Sequence, residues 1–285
     1  NIEGCKYIWQ TLSDSKADRK SLLINLGGGV IGDMGGFAAS TFKRGIDFIN
    51  IPTTLLAQVD ASVGGKLGID LNHIKNEVGI FNFPKAVFVC PKFLNTLDAR
   101  QINSGFAEVI KHALIADKKY WPEVKSFDKR SGDFTKLIVR SIEIKNKIVK
   151  ADPKETGLRK ILNFGHTIGH AMETFSLEGT AATLLHGEAV AAGIVCETYL
   201  SHKKLKLTKE ELHEITSYIF ANYRPVRLDK FDEHRLIELM KHDKKNEKGA
   251  INFSLLREIG NTKFDACCSI SQIKDALKYY REFSI

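Results

Sequence analysis

The run Leu22-Leu-Ile-Asn-Leu26 leads without interruption into Gly27-Gly28-Gly29-Val30-Ile31-Gly32-Asp33. A short apolar run closed by glycines reads as a β-strand, and the segment beyond it reads as the start of a helix. The glycines satisfy the pattern G-x-G-x-x-G in a strand, turn, helix context. Glycines in such a turn let the backbone approach a pyrophosphate, while the helix N-terminus offers unpaired N–H groups and the positive end of its dipole. The alternative is a tight turn that holds no ligand, and the pattern alone leaves both readings open. A dinucleotide fingerprint also wants an acid at the end of the next strand, for the ribose hydroxyls. Here Asp47 precedes Phe48 to Ile51 instead, so the adenosine half is unassigned.

Working outward, Phe48 to Ile51 and Ala86 to Cys90 read as further strands, and Gly35 to Phe42 is long enough for the crossover helix that a parallel pair requires. From Asp98 onward the texture changes to long amphipathic segments: Gly105 to Ala116, Phe134 to Ala151, His166 to Phe175, His186 to His202 and Lys209 to Asn222. Pro91 and an apolar-poor stretch separate the two patterns near residues 91 to 98. The expected architecture is an α/β domain over residues 1–98 followed by a mainly helical domain over residues 99–285. Glu247 to Phe264 has the makings of a late hairpin.

With 285 residues, 43% hydrophobic and 27% charged, the chain can bury a core and is not a disordered or low-complexity sequence. No apolar run approaches the roughly 20 residues of a membrane span, the best being Ala189 to Cys196. The five cysteines contain no CxxC pair, which argues against both a disulfide framework and a thiolate zinc site. Asn1-Ile-Glu-Gly4 has no basic or apolar leader character, and a cytoplasmic protein is expected. Lysine and arginine number 42 against 34 acids, a formal +8 that favours an anionic partner. The most lysine-rich stretch, Lys241 to Lys248, is mixed in sign and lacks interleaved aromatics, so nucleic acid is not the expected partner.

Two further constellations carry chemistry. Val63-Gly64-Gly65-Lys66 follows Asp60 and precedes Lys75-Asn76; a lysine on a glycine turn is one way to hold a phosphate, the alternative being an ordinary loop with solvated lysines. In the helical half, His166-Thr-Ile-Gly-His170 puts two imidazoles on one helix face, His186 opens another apolar helix, and Glu108 lies in the apolar segment Phe106 to Ile115. Three nitrogen or oxygen ligands with an open position would make a catalytic zinc site, whereas a single histidine is more often structural. His73, His112, His202, His213, His234 and His242 lie mostly in polar stretches and are not expected to carry site chemistry.

Gly27 to Asp33, Pro52-Thr53-Thr54-Leu-Leu-Ala-Gln-Val-Asp60, Ser62-Val-Gly-Gly-Lys66, Ala107-Glu108-Val-Ile-Lys111, Asn163-Phe-Gly-His-Thr-Ile-Gly-His170 and Leu185-His-Gly-Glu188 occur in an order that resembles the 3-dehydroquinate synthase family of sugar-phosphate cyclases. The resemblance covers essentially the whole chain, and makes its first part a Rossmann-like α/β nucleotide-binding domain and its second an all-α metal- and substrate-binding domain. It implies conversion of 3-deoxy-D-arabino-heptulosonate 7-phosphate to 3-dehydroquinate and phosphate in the shikimate pathway, with NAD and zinc or cobalt. It further implies Glu108, His166 and His186 as metal ligands and His170 as a substrate contact, so that the i, i+4 pair is not a pair of ligands. Lys66, Asn76, Lys111, Lys145, Arg159, Asn163 and Lys244 match substrate-binding positions, with Asp60 near the ring hydroxyls and Glu155 in the surrounding shell. Arg44 matches an arginine that reaches the phosphate in the neighbouring subunit of a homodimer. For NAD the matching positions are Gly28, Gly29, Val30, Asp33, Thr53, Thr54, Lys66, Lys75, Phe93 and Thr96, with Glu3 and Lys6 as weaker matches. Two departures stand out: family chains begin several tens of residues earlier, and Leu67 replaces the usual threonine after Gly-Gly-Lys.

The rival readings are another sugar-phosphate cyclase, such as a 2-deoxy-scyllo-inosose or 2-epi-5-epi-valiolone synthase, a metal-dependent alcohol or glycerol dehydrogenase, and a binding protein without turnover. Arg159 and Lys145 favour a carboxylated substrate.

Overall fold

The computed structural model describes residues 1–71, 74–179, 183–228, 231–241 and 251–283, without the side chains of residues 74 and 75. The chain divides into two compact units, residues 1–105 with 133–146, and residues 106–132 with 147–285. The first unit thus extends past residue 98 and takes in a later segment, because helices α3 (Ala99–Ala116) and α5 (Thr135–Ala151) each contribute residues to both units.

In the first unit, strands β1 (Leu22–Gly27), β2 (Asp47–Pro52) and β5 (Ala86–Val87) form a parallel sheet in the order β1-β2-β5. Helix α2 (Gly29–Thr41) makes the crossover from β1 to β2 and starts directly behind the glycine turn, six residues earlier than the spacing of apolar residues suggests. Helix α1 (Ile2–Asp14), which no motif announces, lies on α2: the Trp9 indole donates to the Ala38 carbonyl at 3.1 Å. Cys5, Phe37, Ile46, Phe48, Leu67 and Ile69 form the core of this unit. Two of these come from β3 (Lys66–Leu71), which pairs antiparallel with β4 (Ile74–Phe81). Lys66, expected on a glycine turn, therefore opens a strand; Leu67 and Ile69 alternate inward and pull the segment onto the core. On β1 the buried residue is Asn25, whose amide donates to the Asn50 side-chain carbonyl at 2.9 Å across the parallel register. Leu22, Ile24 and Leu26 occupy the opposite, exposed face.

The second unit is built around α7 (His186–Leu205), whose residues are buried on nearly every side, as expected for a helix apolar all round. Packed with it are α6 (His166–Leu177), α8 (Lys209–Asn222), α10 (Ile270–Phe283) and strand β6 (Ile251–Glu258). Two shorter helices, α4 (Tyr120–Ser126) and α9 (Glu233–Lys241), complete it. The expectation of an all-α domain is corrected by the hairpin of β6 and β7 (Asn261–Cys268). Strand β6 is buried almost throughout, at Ile251 and from Phe253 to Leu256, and the turn is tied to the end of α3 by Gly260 N–H to Leu114 (2.8 Å) and Thr262 hydroxyl to Ile115 (3.0 Å). Among the described residues no helix is long and apolar enough to cross a membrane.

The Asn25–Asn50 bond is the polar pin of the sheet. Asn50→Ala removes the acceptor while the Asn25 amide stays buried, which should lower stability by about 1–3 kcal/mol in a urea titration. The double change Asn25→Ala/Asn50→Ala should be milder than the sum of the two single changes, and strict additivity would show that the pair is not coupled.

A candidate metal centre and a glycine-lined cleft

Helices α6 and α7 approach closely enough that backbone meets backbone. A Cβ on Gly193 of α7 would overlap the carbonyl oxygen of Gly165, and one on Gly169 would sit 2.9 Å from the Ala189 carbonyl oxygen. Gly165 precedes α6 with a left-handed φ of 79°, so the chain turns there directly into the helix. Glu197 of α7, fully buried, accepts hydrogen bonds from the N–H groups of Gly165 (2.7 Å), Thr167 (3.0 Å) and Ile168 (3.1 Å). A carboxylate at a helix N-terminus satisfies orphan donors and the dipole together. His166 in the first turn of α6 is thereby fixed against α7, whose first residue is His186.

These two rings meet the carboxylate of Glu108, which α3 carries into the interior of the unit at 0% exposure. Glu108 Oε1 lies 3.4 Å from His166 Nε2 and 3.4 Å from His186 Nε2. The other ring nitrogens settle the tautomers. His166 Nδ1 is 3.0 Å from the Phe164 carbonyl, which can only accept, and His186 Nδ1 is 3.0 Å from the Glu173 carboxylate. Both Nδ1 atoms therefore carry the proton, and both Nε2 atoms present lone pairs to Glu108. Burial, joined by the Lys111 ammonium, lowers His166 to about 4. Burial alone would raise the Glu108 carboxyl, but the Lys111 ammonium, in an ion pair with it, holds it well below the usual carboxylate range. Neither Glu108 oxygen accepts a hydrogen bond of regular geometry. Three lone-pair donors facing one another repel unless a cation joins them, and two imidazoles with one carboxylate suit a divalent metal with an open position. His170, one turn after His166, adds a third ring: its centroid is 5.0 Å from that of His166 and 5.7 Å from that of His186. The three histidines also have ligand nitrogens within 4.8 Å of one another.

The polar loop ahead of α6 is organised by Asp152. Its carboxylate accepts from the N–H groups of Thr156 (3.0 Å), Gly157 (2.7 Å) and Arg159 (3.0 Å). Within this loop Glu155, at a φ of 58°, accepts from the Asn163 amide at 2.8 Å, and buried Arg159 donates to the Pro153 carbonyl at 2.7 Å. Arg159, Asn163 and Glu155 are thus brought into one segment.

In the first unit Gly27, Gly28, Gly29 and Gly32 line a small cleft with Asn25, Asn50, Pro52, Ala57, Ala61 and Ser62. Thr53 N–H donates to the Gly27 carbonyl at 2.9 Å, and the Thr54 methyl would lie 3.1 Å from a Cβ on Gly28. Gly28, Gly29, Thr53 and Thr54 therefore come together at the N-terminus of α2. Val30 and Asp33 follow in the first turns of that helix, with Val30 exposed. Phe93 and Thr96 stand on the short helical turn Pro91–Thr96 and are not among the residues lining the cleft. Glu3 and Lys6 form an exposed ion pair on α1. Lys145 pairs with Asp60 at 2.8 Å and also donates to its carbonyl at 2.7 Å. Lys66, Asn76 and Arg44 are exposed, Asn76 and Arg44 with left-handed φ values of 51° and 72°. Lys244 and the side chain of Lys75 lie outside the described residues.

Sequence reasoning missed Glu173 and Glu197. Each interrupts the apolar face of a helix, which is the available signal, since a buried carboxylate requires compensating partners. His112, grouped with the polar-stretch histidines, is fully buried on α3.

The family models described as 3-dehydroquinate synthase N-terminal and 3-dehydroquinate synthase C-terminal match residues 1–104 and 105–246. A 3-dehydroquinate synthase from Parabacteroides distasonis is 51% identical over 278 residues, 96% of this chain and 78% of that protein. Among solved structures, 2-epi-5-epi-valiolone synthase from Streptomyces hygroscopicus subsp. jinggangensis 5008, with NAD+ and Zn2+ bound, is 25% identical with a TM-score of 0.85, over 99% of this chain and 79% of that one. A 2-deoxy-scyllo-inosose synthase complexed with carbaglucose-6-phosphate, NAD+ and Co2+ has the same fold at 24% identity and a TM-score of 0.85, over 98% of this chain and 79% of that one.

The packing of α6 on α7 sets the spacing of the histidines. Gly193→Ala should be destabilising by about 1–3 kcal/mol despite alanine's better helix propensity. At roughly 2–4 °C per kcal/mol the melting midpoint should fall by several degrees. An unchanged midpoint would mean that the helices separate without penalty.

Proposed function

The chain belongs to the 3-dehydroquinate synthase family, and we propose that it converts 3-deoxy-D-arabino-heptulosonate 7-phosphate into 3-dehydroquinate and inorganic phosphate, in the cytoplasm, as a carbon–oxygen lyase of the shikimate pathway. NAD and a divalent metal, zinc or cobalt, are its cofactors in this reading. The observation that carries it is the convergence of Glu108 Oε1 with the unprotonated Nε2 atoms of His166 and His186. These three hold the metal, in a two-histidine, one-carboxylate set of the kind catalytic zinc sites use. His170 is left to contact substrate beside them.

When bound, the metal would supply Lewis acidity toward a substrate oxygen and NAD a reversible hydride acceptor, chemistry that would make the neighbouring C–H acidic enough for phosphate to leave. The chain's own work is binding and orientation. Gly28 and Gly29 at the N-terminus of α2 cradle the pyrophosphate, and Val30, Asp33, Thr53, Thr54, Lys66, Lys75, Phe93 and Thr96 are the further positions assigned to NAD. A substrate with a phosphate and a carboxylate requires fixed cations, a role for Lys66, Lys111, Lys145, Arg159 and Lys244. Arg159 is held by the loop that Asp152 organises, which suits planar carboxylate recognition. Asn76 and Asn163 bind substrate, with Asp60 near the ring hydroxyls and Glu155 in the surrounding shell, where it accepts from Asn163. The substrate's own phosphate can take the proton lost from carbon, so no side chain is assigned as base. Arg44 reaches the phosphate of a neighbouring subunit in a homodimer.

The test is release of inorganic phosphate from 3-deoxy-D-arabino-heptulosonate 7-phosphate, with NADH absorbance followed in parallel. Release should require both NAD and a divalent metal and should produce no net NADH. His186→Ala should lower it by roughly a hundredfold or more together with bound metal. Accumulating NADH without phosphate would instead identify a dehydrogenase, and full activity in excess chelator would sink the metal assignment.

A further inference from the structure

Glu173 takes no part in the ligand set above, yet it is a buried carboxylate beside it. It lies seven residues after His166 and three after His170 on α6, so all three share one face of that helix. Its Oε2 meets His186 Nδ1 at 3.0 Å, a contact that joins α6 to the first residue of α7. Because the carboxylate accepts only, it fixes the proton on Nδ1 and turns the lone pair of Nε2 toward Glu108. His166 is held differently, through a neutral carbonyl at Phe164. The two imidazoles are therefore electronically unequal: the one backed by an anion is the stronger electron donor.

We propose that Glu173 is a positioning residue of the metal centre, orienting His186 and raising its basicity as a ligand. The inference rests on the metal reading given above. A carboxylate behind a ligating histidine typically contributes ten- to a hundredfold to metal affinity. That contribution is separable from fold stability, because Glu173 acts on the ring and not on the helix ends that Glu197 satisfies.

The experiment measures Zn2+ affinity of the full chain, stripped of metal, by competition with a chromogenic chelator, and records the visible spectrum of the Co2+-loaded protein. Glu173→Gln should weaken binding by about tenfold and Glu173→Ala by up to about a hundredfold. The melting midpoint of metal-stripped Glu173→Gln should stay near that of the parent, and its Co2+ absorption bands should move. Glu178→Gln, which removes an acid paired with Arg235 at the surface, should leave affinity unchanged. Should Glu173→Ala fail to fold, Glu173→Gln decides alone. Parent-like affinity and an unshifted Co2+ spectrum in Glu173→Gln, with binding lost in His186→Ala, overturns the positioning role and leaves the metal centre standing. Parent-like affinity in His186→Ala overturns the metal centre itself.

Discussion

The second unit depends on one buried carboxylate, Glu108, which could not be ionised inside an apolar helix pair without compensation. Isolated, it would carry a desolvation penalty of several kcal/mol. Lys111, one turn along the same helix, supplies the opposite charge, while two imidazoles bring further lone pairs from other helices, an arrangement that only a cation between them relieves. Everything around it serves to keep these groups in register. Gly193 lets α7 approach α6, Glu197 anchors the start of α6, and the Phe164 carbonyl and Glu173 fix both rings. Because each support is itself buried and hydrogen-bonded, the geometry is held by packing and does not rely on long, mobile side chains.

The first unit solves a different problem, that of presenting backbone instead of side chains. Its cleft is walled by glycines and short residues, so the groups offered there are peptide N–H donors and the end of a helix. Such donors are fixed by the fold and lose little entropy on binding an anion. Lys145 and Lys66 stand elsewhere in this unit, the one against Asp60 and the other at the start of β3.

Local patterns were readable and long-range ones were not. The strand, glycine turn and helix of residues 22–41 follow from composition, although the helix starts at Gly29 because its N-terminus grows straight out of the turn. Helix α8 matches its predicted span to the residue, since Thr208 and Glu211 form a capping box at its head. The hairpin β3–β4 went unread because glycines and charges break its alternation. Among site residues, the i, i+4 spacing of His166 and His170 is visible in any sequence, whereas the partnership of His166 with Glu108 and His186 is made by helix crossings. On residues alone, that spacing pairs His166 with His170, and it is the resemblance of the flanking motifs that sets Glu108, His166 and His186 apart as the expected ligands. Glu173 and Glu197 escaped notice because a glutamate within a helix usually faces water, and only the packed structure reveals which ones do not.

The pairing of Glu108 with Lys111 also shapes the electric field around the centre. The negative charge of the carboxylate is already matched by an ammonium within the protein, and both partners are almost inaccessible to solvent. In the metal centre proposed above, a dication would be offset in part by the Glu173 carboxylate behind His186 and would keep a net positive charge in a medium of low polarisability. The pocket would therefore act as an electropositive well, drawing in a multiply charged anion before any specific contact forms. Once its phosphate has been expelled as a separate ion, the carbocycle carries less charge, so the field that captures the substrate holds the product less firmly.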